Sequence, residues 1–321
     1  MNLRRLIPAL MLSLFLPLPQ ASAESIAVAA RQIPLTHADP ALIDTGALIF
    51  RGGLHLTSDD SRFGGFSGLG ISADGSRMIS VSDTALTYAT TLSYDKSGNL
   101  SGIGAGDLNV LADPDGKPLT GKRWSDAEAM SPGVEGEIII AFERDHRLWR
   151  YDPGALTPRI LKPPVELADM PGNHGIESLT LLNDGRLLAI AEGRVDEPDK
   201  VAWVSNRGGW DVLTYHAEKG FRPTGAATLP DGNVVVLERF YTPRAGVRIK
   251  IKRIPVNAIE AAAGIRGSLL ATLAPPMNVD NFEGIEAIRG QDGKTYIYVI
   301  SDNNFNPEQR TLLLMFELRA Q

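Results

Sequence analysis

Five positions in this 321-residue chain, Ser67, Glu128, Glu177, Thr224 and Glu286, carry oxygen-bearing side chains in one recurring context. Each is followed by a small residue and, with one exception, a large apolar one: Ser-Gly-Leu, Glu-Ala-Met, Glu-Ser-Leu, Thr-Gly-Ala and Glu-Ala-Ile. Three carboxylates and two hydroxyls gathered at one point would repel one another and lack water. Such crowding raises carboxylate pKa values and costs stability, and a bound cation relieves both. Oxygen donors without His or Cys suit a hard ion, and a roomy ring suits calcium better than magnesium. The five residues are therefore expected as ligands of one axial Ca2+. Any one of them alone would read as an ordinary polar strand end; the alignment of five favours the ion.

A second set, Asp83, Glu143, Glu192, Glu238 and Asp302, is uniformly acidic and recurs in the same frame. It reads as an outer ring, one of whose carboxylates would position or deprotonate water. Arg144, Arg147, Arg194 and Arg239 stand beside it. Guanidinium groups bind anionic oxygens bidentately, so Arg144, Arg194 and Arg239, with Asn303, are candidates to contact a small anionic or ester substrate. Salt bridges between neighbouring units are the equal alternative for the arginines. His174 precedes Gly175-Ile176-Glu177 and is a candidate acid or base near neutral pH, or else a loop histidine, as is His146. Trp124 and Phe282 either wall the same place or pack between units. There is no Gly-x-Ser-x-Gly elbow, phosphate-cradling Gly-Lys-Ser/Thr loop or His-Glu-x-x-His helix. The absence of cysteine excludes a thiol nucleophile and thiolate metal sites.

Repetition indicates the elements that would bring these residues together. One unit occurs five times: an apolar strand, a tight turn and a second strand rich in Val and Ile. The turns are Asp74-Gly75, Glu135-Gly136, Asp184-Gly185, Asp231-Gly232 and Asp292-Gly293. Gly at such a turn accepts positive φ at no steric cost, which is the hairpin cue. Two weaker strands follow most copies, giving the four-stranded blade of an all-β propeller. Five blades are expected, with the segment at 47–56 completing the last sheet and closing the ring. A sixth blade fits only if two units are merged between Thr224 and Glu286. Residues 256–267 read as one short helix or turn. In a propeller the first strand lines the central channel, so strand-one starts and strand-two ends meet at one mouth.

Composition agrees with a globular chain: 43% hydrophobic, 22% charged, with 32 Gly and 21 Pro. Arg4 and Arg5, the apolar stretch from Leu6 to Leu18 and Ala21-Ser22-Ala23 read as a secretory leader cleaved after Ala23, leaving residues 24–321 as one domain in the periplasm or medium. The formal charge is −6, and losing the two leader arginines makes it −8. That sign disfavours nucleic acid. No further segment is long and apolar enough for a membrane span, and a monomer is expected.

At FGGFSGLGIS (63–72), RWSDAEAM (123–130), HGIESLTLLNDGRLLAIAE (174–192), NFEGIEAI (281–288) and ISDNNF (300–305), the chain resembles the phytase-like, esterase-like family of exported bacterial proteins. The resemblance spans most of the mature chain and implies a propeller. The order Ser67, Glu128, Glu177, Thr224, Glu286 also resembles, more distantly, the axial calcium ligands of the calcium-activated nucleotidase (apyrase) five-bladed propellers. That likeness implies one axial Ca2+, with Thr supplying an oxygen where that family has Ser; its nucleotide-binding loops have no counterpart. The leading expectation is a calcium-dependent hydrolase of phosphate or related esters. The alternatives are a non-catalytic binding propeller with a structural calcium, and a lactonase or sugar-ester hydrolase.

Overall fold

A computed structural model describes residues 24–320, so the expected leader lies outside the described residues. The chain forms five sheets, antiparallel except for one short added strand, arranged as the blades of a propeller. Their inner strands are Phe66–Ile71, Ala127–Pro132, Ile176–Leu181, Arg222–Thr228 and Asn281–Arg289. Each neighbours the next, and the fifth lies against the first. In the fifth blade Thr311–Leu318 pairs with Leu48–Thr57, which pairs in turn with Ala29–Ile33. Glu24–Ile26 pairs with the outer strand Leu100–Val110 of the first blade.

Each of the five apolar cores lies between two successive blades. Phe142 and Trp149 meet Val81 between blades one and two, and Val236 and Ile254 meet Ile190 and Val204 between blades three and four. A blade is thus buried on both faces, which is why its second strand reads as a continuous apolar run (Ile138–Phe142, Leu187–Ala191) rather than as an alternation.

The five turns take the conformation their sequences demand. Gly75, Gly136, Gly185, Gly232 and Gly293 all have φ between +74° and +89°. In four turns the Asp Oδ1 accepts the amide two residues on: Ser76, Arg186, Asn233 and Lys294. The long interval in the fourth unit holds no extra blade. After Gly246–Ile254 the chain makes a 3-10 turn at Val256–Ala258 and adds Gly264–Ile265 in parallel to the outer edge of blade three. It then returns as Ser268–Leu273 to finish blade four.

Candidate metal centre and acidic channel mouth

Inner and second strands do not pair in unbroken register. In four blades the ladder skips one inner-strand residue, passing from Phe66 to Gly68, Ile176 to Ser178, Pro223 to Gly225 and Phe282 to Gly284. In blade two, Ala129 and Ala127 face consecutive residues Ala141 and Phe142. The skipped residues are Ser67, Glu128, Glu177, Thr224 and Glu283. A β-bulge leaves its extra residue outside the ladder and re-aims its side chain. Five equivalent bulges therefore present five oxygen-bearing groups at one level of the channel. Ser67, Glu177 and Glu283 line an axial cavity of about 10 Å3, room for one small ion or water. Close approach of the blades demands small residues just after the bulges: a Cβ on Gly225 would sit 2.4 Å from the Glu283 carbonyl oxygen.

Of the five residues expected as ligands, Ser67, Glu128, Glu177 and Thr224 occupy bulges and Glu286 does not. Glu286 lies three residues further along its strand, opposite Tyr298, and lines a cavity of about 1290 Å3 at the other mouth. Glu283 occupies the bulge instead.

The hydroxyls are arranged as a cation would need them. Ser67 Oγ donates to the Ala127 carbonyl (2.5 Å) and Thr224 Oγ1 to the Phe282 carbonyl (2.9 Å), each on the next blade. With its proton engaged, each oxygen keeps lone pairs for another partner. The carboxyls are crowded. Burial, then the Glu177 charge, pushes Glu128 well above the usual carboxylate range. Burial, then Glu192 and Glu283, does the same to Glu177. Burial raises Glu283 to about 7 against the opposing pull of Arg239. Asp126, Glu128 and Glu143 place ligand atoms within 4.8 Å of one another, a group able to hold an ion.

The second ring also departs from expectation at one place. Asp83, Glu143, Glu192 and Asp302 each follow the last ladder pair of the second strand or close it, and all reach the mouth. In blade four Arg239 takes the equivalent position, paired with Arg222 as Asp302 is with Asn281. Glu238 turns the other way into the blade. It is fully buried, held by Lys252 Nζ (2.8 Å) and by the Tyr215 hydroxyl (2.8 Å), and has no part in the mouth. Arg239 Nη2 lies 3.8 Å from Glu192 and 4.0 Å from Glu283.

Several charged partners carry no repeat signature and were not anticipated. Asp126, 1% exposed, binds Lys122 (2.5 Å) and Arg144 (2.6 Å); Lys122 also reaches Asp83 (2.8 Å); Arg222 binds Glu192 (2.7 Å). Asp83, Asp126, Glu128, Glu143, Glu177, Glu192, Glu283 and Asp302 thus outnumber Lys122, Arg144, Arg222 and Arg239 by eight to four. That excess is the charge problem a divalent cation would relieve. Glu143 and Asp302 are the acids of the outer ring without an ion pair among the described residues. Burial, then Asp126 and Glu192, raises Glu143 to about 7, although it accepts the Gly175 amide.

The remaining candidates divide. Arg144 stays at the mouth, but its Nε is engaged by Asp126. Arg194 points into solvent and pairs with Asp196 and Glu197. Asn303 Oδ1 accepts the amides of Gly65 (3.1 Å) and Phe305 (3.2 Å), so it shapes the loop. His174 is half-buried beside Glu192. His146 Nε2 bonds the Pro171 carbonyl (3.1 Å) and its ring lies under Gly175, a packing role. Phe282 is core; Trp124 is exposed.

Glu286 gives a separate test of these placements. Its carboxyl is raised to about 8 by burial alone, opposed only by the Ala287 amide. Below about pH 4.5 the group is protonated folded and unfolded. Between there and about pH 8 the folded protein keeps a proton that the unfolded chain gives up, so the contribution falls as pH rises and levels off above 8. Glu286→Gln removes this slope. Its melting temperature should gain on the parent progressively from pH 5 to about pH 8 and hold that gain at pH 9 by thermal scanning; parallel curves would contradict the burial of this group.

No curated protein is matched by the sequence. Among solved structures, a gluconolactonase from Xanthomonas campestris is 9% identical, with 93% of this chain and 99% of that one covered and a TM-score of 0.44. Virginiamycin B lyase from Staphylococcus aureus is 11% identical, with 92% and 89% covered and a TM-score of 0.40. Among the described residues no helix is long and apolar enough to cross a membrane. The family model described as phytase-like, esterase-like activity of phytase, matches residues 61–305, a stretch containing all five inner strands and both rings, and the chain belongs to that family.

Proposed function

We propose that this protein is an exported, calcium-dependent hydrolase of phosphate or related esters, acting at the acidic mouth of its channel. The observation that carries this reading is the set of five bulge-borne oxygen side chains, Ser67, Glu128, Glu177, Thr224 and Glu283, of which Ser67, Glu177 and Glu283 line one small axial cavity. Their donor set has no nitrogen or sulfur and suits calcium. A calcium ion held there would polarise an ester oxygen and lower the cost of negative charge on it.

The chain's own groups do the rest. Glu143 carries no cation of its own and stands beside the ring, so it takes the proton of an attacking water. Arg239 and Lys122, inside a carboxylate-rich rim, neutralise charge on the departing group. Arg222 holds Glu192, and through it Arg239, in place. Family membership supports ester chemistry; export rests on the leader-like residues 1–23.

The test is hydrolysis of a panel of phosphate, carboxylic and lactone esters by the purified protein, with calcium and with chelator. Turnover that disappears on chelation and returns with calcium is expected. A chelator that lowers the melting temperature while no ester is ever turned over would replace this reading with a purely structural ion.

A further inference from the structure

Most aromatic side chains of this protein are buried, as the cost of leaving their surface in water predicts: Trp203, Tyr88, Phe66, Phe142, Phe282 and Phe316 are at most 1% exposed. Three are left open among the described residues: Trp124 (45%), Phe305 (41%) and Tyr241 (61%). They come from different blades, yet all lie on the face of the acidic mouth. Trp124 stands just before the inner strand of blade two. Tyr241 lies two residues beyond Arg239, and Phe305 three beyond Asp302. None lies on the face of the Asp-Gly turns.

Phe305 lies beside one carboxylate of the mouth, and the short helix that carries Trp124 reaches the same carboxylate through Lys122. Lys122, two residues before Trp124, binds Asp83 Oδ2 (2.8 Å). On the other side, a Cβ placed on Gly65 would meet both Asp83 Oδ1 (2.3 Å) and the Phe305 ring (2.6 Å). Neither ring is loosely held. The Arg123 guanidinium lies 4.9 Å from the indole centroid, covering one face, and Arg147 binds the Trp124 carbonyl. Phe305 and Asn304 both adopt φ of +49°, a strained conformation for residues other than glycine. The Asp302 and Asn303 carboxyl and amide oxygens fix it by accepting the Asn304 and Phe305 amides. Backbone strain held in place by side chains is costly and concentrates where a side chain must be aimed.

We infer that Trp124 and Phe305 form the walls of a subsite that selects esters bearing a ring with an apolar face, aromatic or sugar, and seat that ring beside Asp83. The inference rests on the ester-hydrolase reading for its setting, and on the exposed rings for its content. Stacking on two such walls is worth about tenfold in specificity.

The experiment compares benzyl phosphate with ethyl phosphate, two alkyl esters of similar intrinsic reactivity, and includes methyl glucoside 6-phosphate as the sugar probe. The parent protein and the Trp124→Ala, Phe305→Ala double variant are assayed with calcium. The benzyl-to-ethyl ratio of kcat/KM should fall about tenfold in the double variant, through KM, with the ethyl ester unchanged. A parallel fall with the sugar probe alone assigns the subsite to sugars, and with the benzyl ester alone to aromatic rings. Unchanged ratios for both overturn the inference. Isothermal titration with benzylphosphonate, which cannot be hydrolysed, reads the subsite without turnover. Binding lost in the double variant upholds the inference even if no ester is cleaved, an outcome that would overturn only the hydrolase reading. Absence of binding to the parent protein overturns the inference itself.

Discussion

Glu283→Gln should weaken calcium binding by at least about 100-fold while raising the melting temperature of the calcium-free protein. The first effect follows from removing one charged donor of a three-carboxylate ring, since ligand charge count sets calcium affinity over orders of magnitude. The second follows from the same geometry without the ion. Glu283 is buried near Glu192 and Asp83, and burial raises its carboxyl to about 7. A neutral amide relieves Glu128, Glu177 and Asp302, each of which is raised in part by the Glu283 charge. A variant that had merely misfolded would lose stability with and without calcium. Opposite signs in the two conditions therefore identify a ligand. Glu286→Gln, three residues away on the same strand, should leave calcium affinity within about twofold of the parent, because its carboxyl faces the other mouth. Isothermal titration with calcium and thermal scans with and without chelator measure both quantities. Equal losses in the two variants would contradict the assignment of Glu283 to the ring.

The contrast between Glu283 and Glu286 also shows where sequence reasoning reached and where it stopped. The repeats were legible because hairpin chemistry is local: Asp-Gly turns with positive φ at Gly recur in one frame. Ser67, Glu128, Glu177 and Thr224 each stand seven positions before the first residue of their turn, so one alignment captures all four. The inner strand of blade five is longer, and Glu283 stands nine positions before Asp292 whereas Glu286 stands six. Strand side chains alternate with period two. Seven and nine therefore share a side and six does not, a parity signal present in the sequence but hidden by the closer match of Glu-Ala-Ile to its counterparts. The outer ring fails in the same way. Glu143 and Glu192 lie eight positions after the first residue of their turns. Arg239 does too, whereas Glu238 lies at seven and points into the blade. Asp126, Lys122 and Arg222 were beyond any periodic argument. Lys122 comes from the short helix Lys122–Ser125, Asp126 from the residue that ends it and Arg222 from the start of an inner strand, and their partners lie up to 39 residues away, as for Lys122 and Asp83.

Glu143→Gln should lower kcat by about 10²–10⁴-fold, with calcium affinity changed less than about tenfold. Three of the five acids expected in the outer ring are already committed. Asp83 is held by Lys122, Glu192 by Arg222, and Glu238 by Lys252 inside its blade. A carboxylate paired with a cationic side chain has its lone pairs directed at that partner and not at an attacking water. Glu143 and Asp302 remain. Asp302 is tied by the Asn304 amide at 2.6 Å into the strained loop before Phe305, which fits it to aim that loop. Glu143 stands beside the ring, with a carboxylate oxygen within 4.8 Å of one on Glu128, where water brought by an ion in the ring would lie. Glutamine preserves its shape and can still accept the Gly175 amide through its oxygen. The substitution thus removes basicity and little else. The calcium-induced rise in melting temperature should persist in the variant, separating loss of the base from loss of the site. Undiminished turnover by Glu143→Gln would transfer the role to Asp302, where the corresponding Asn variant, assayed on the same esters, should then carry the loss.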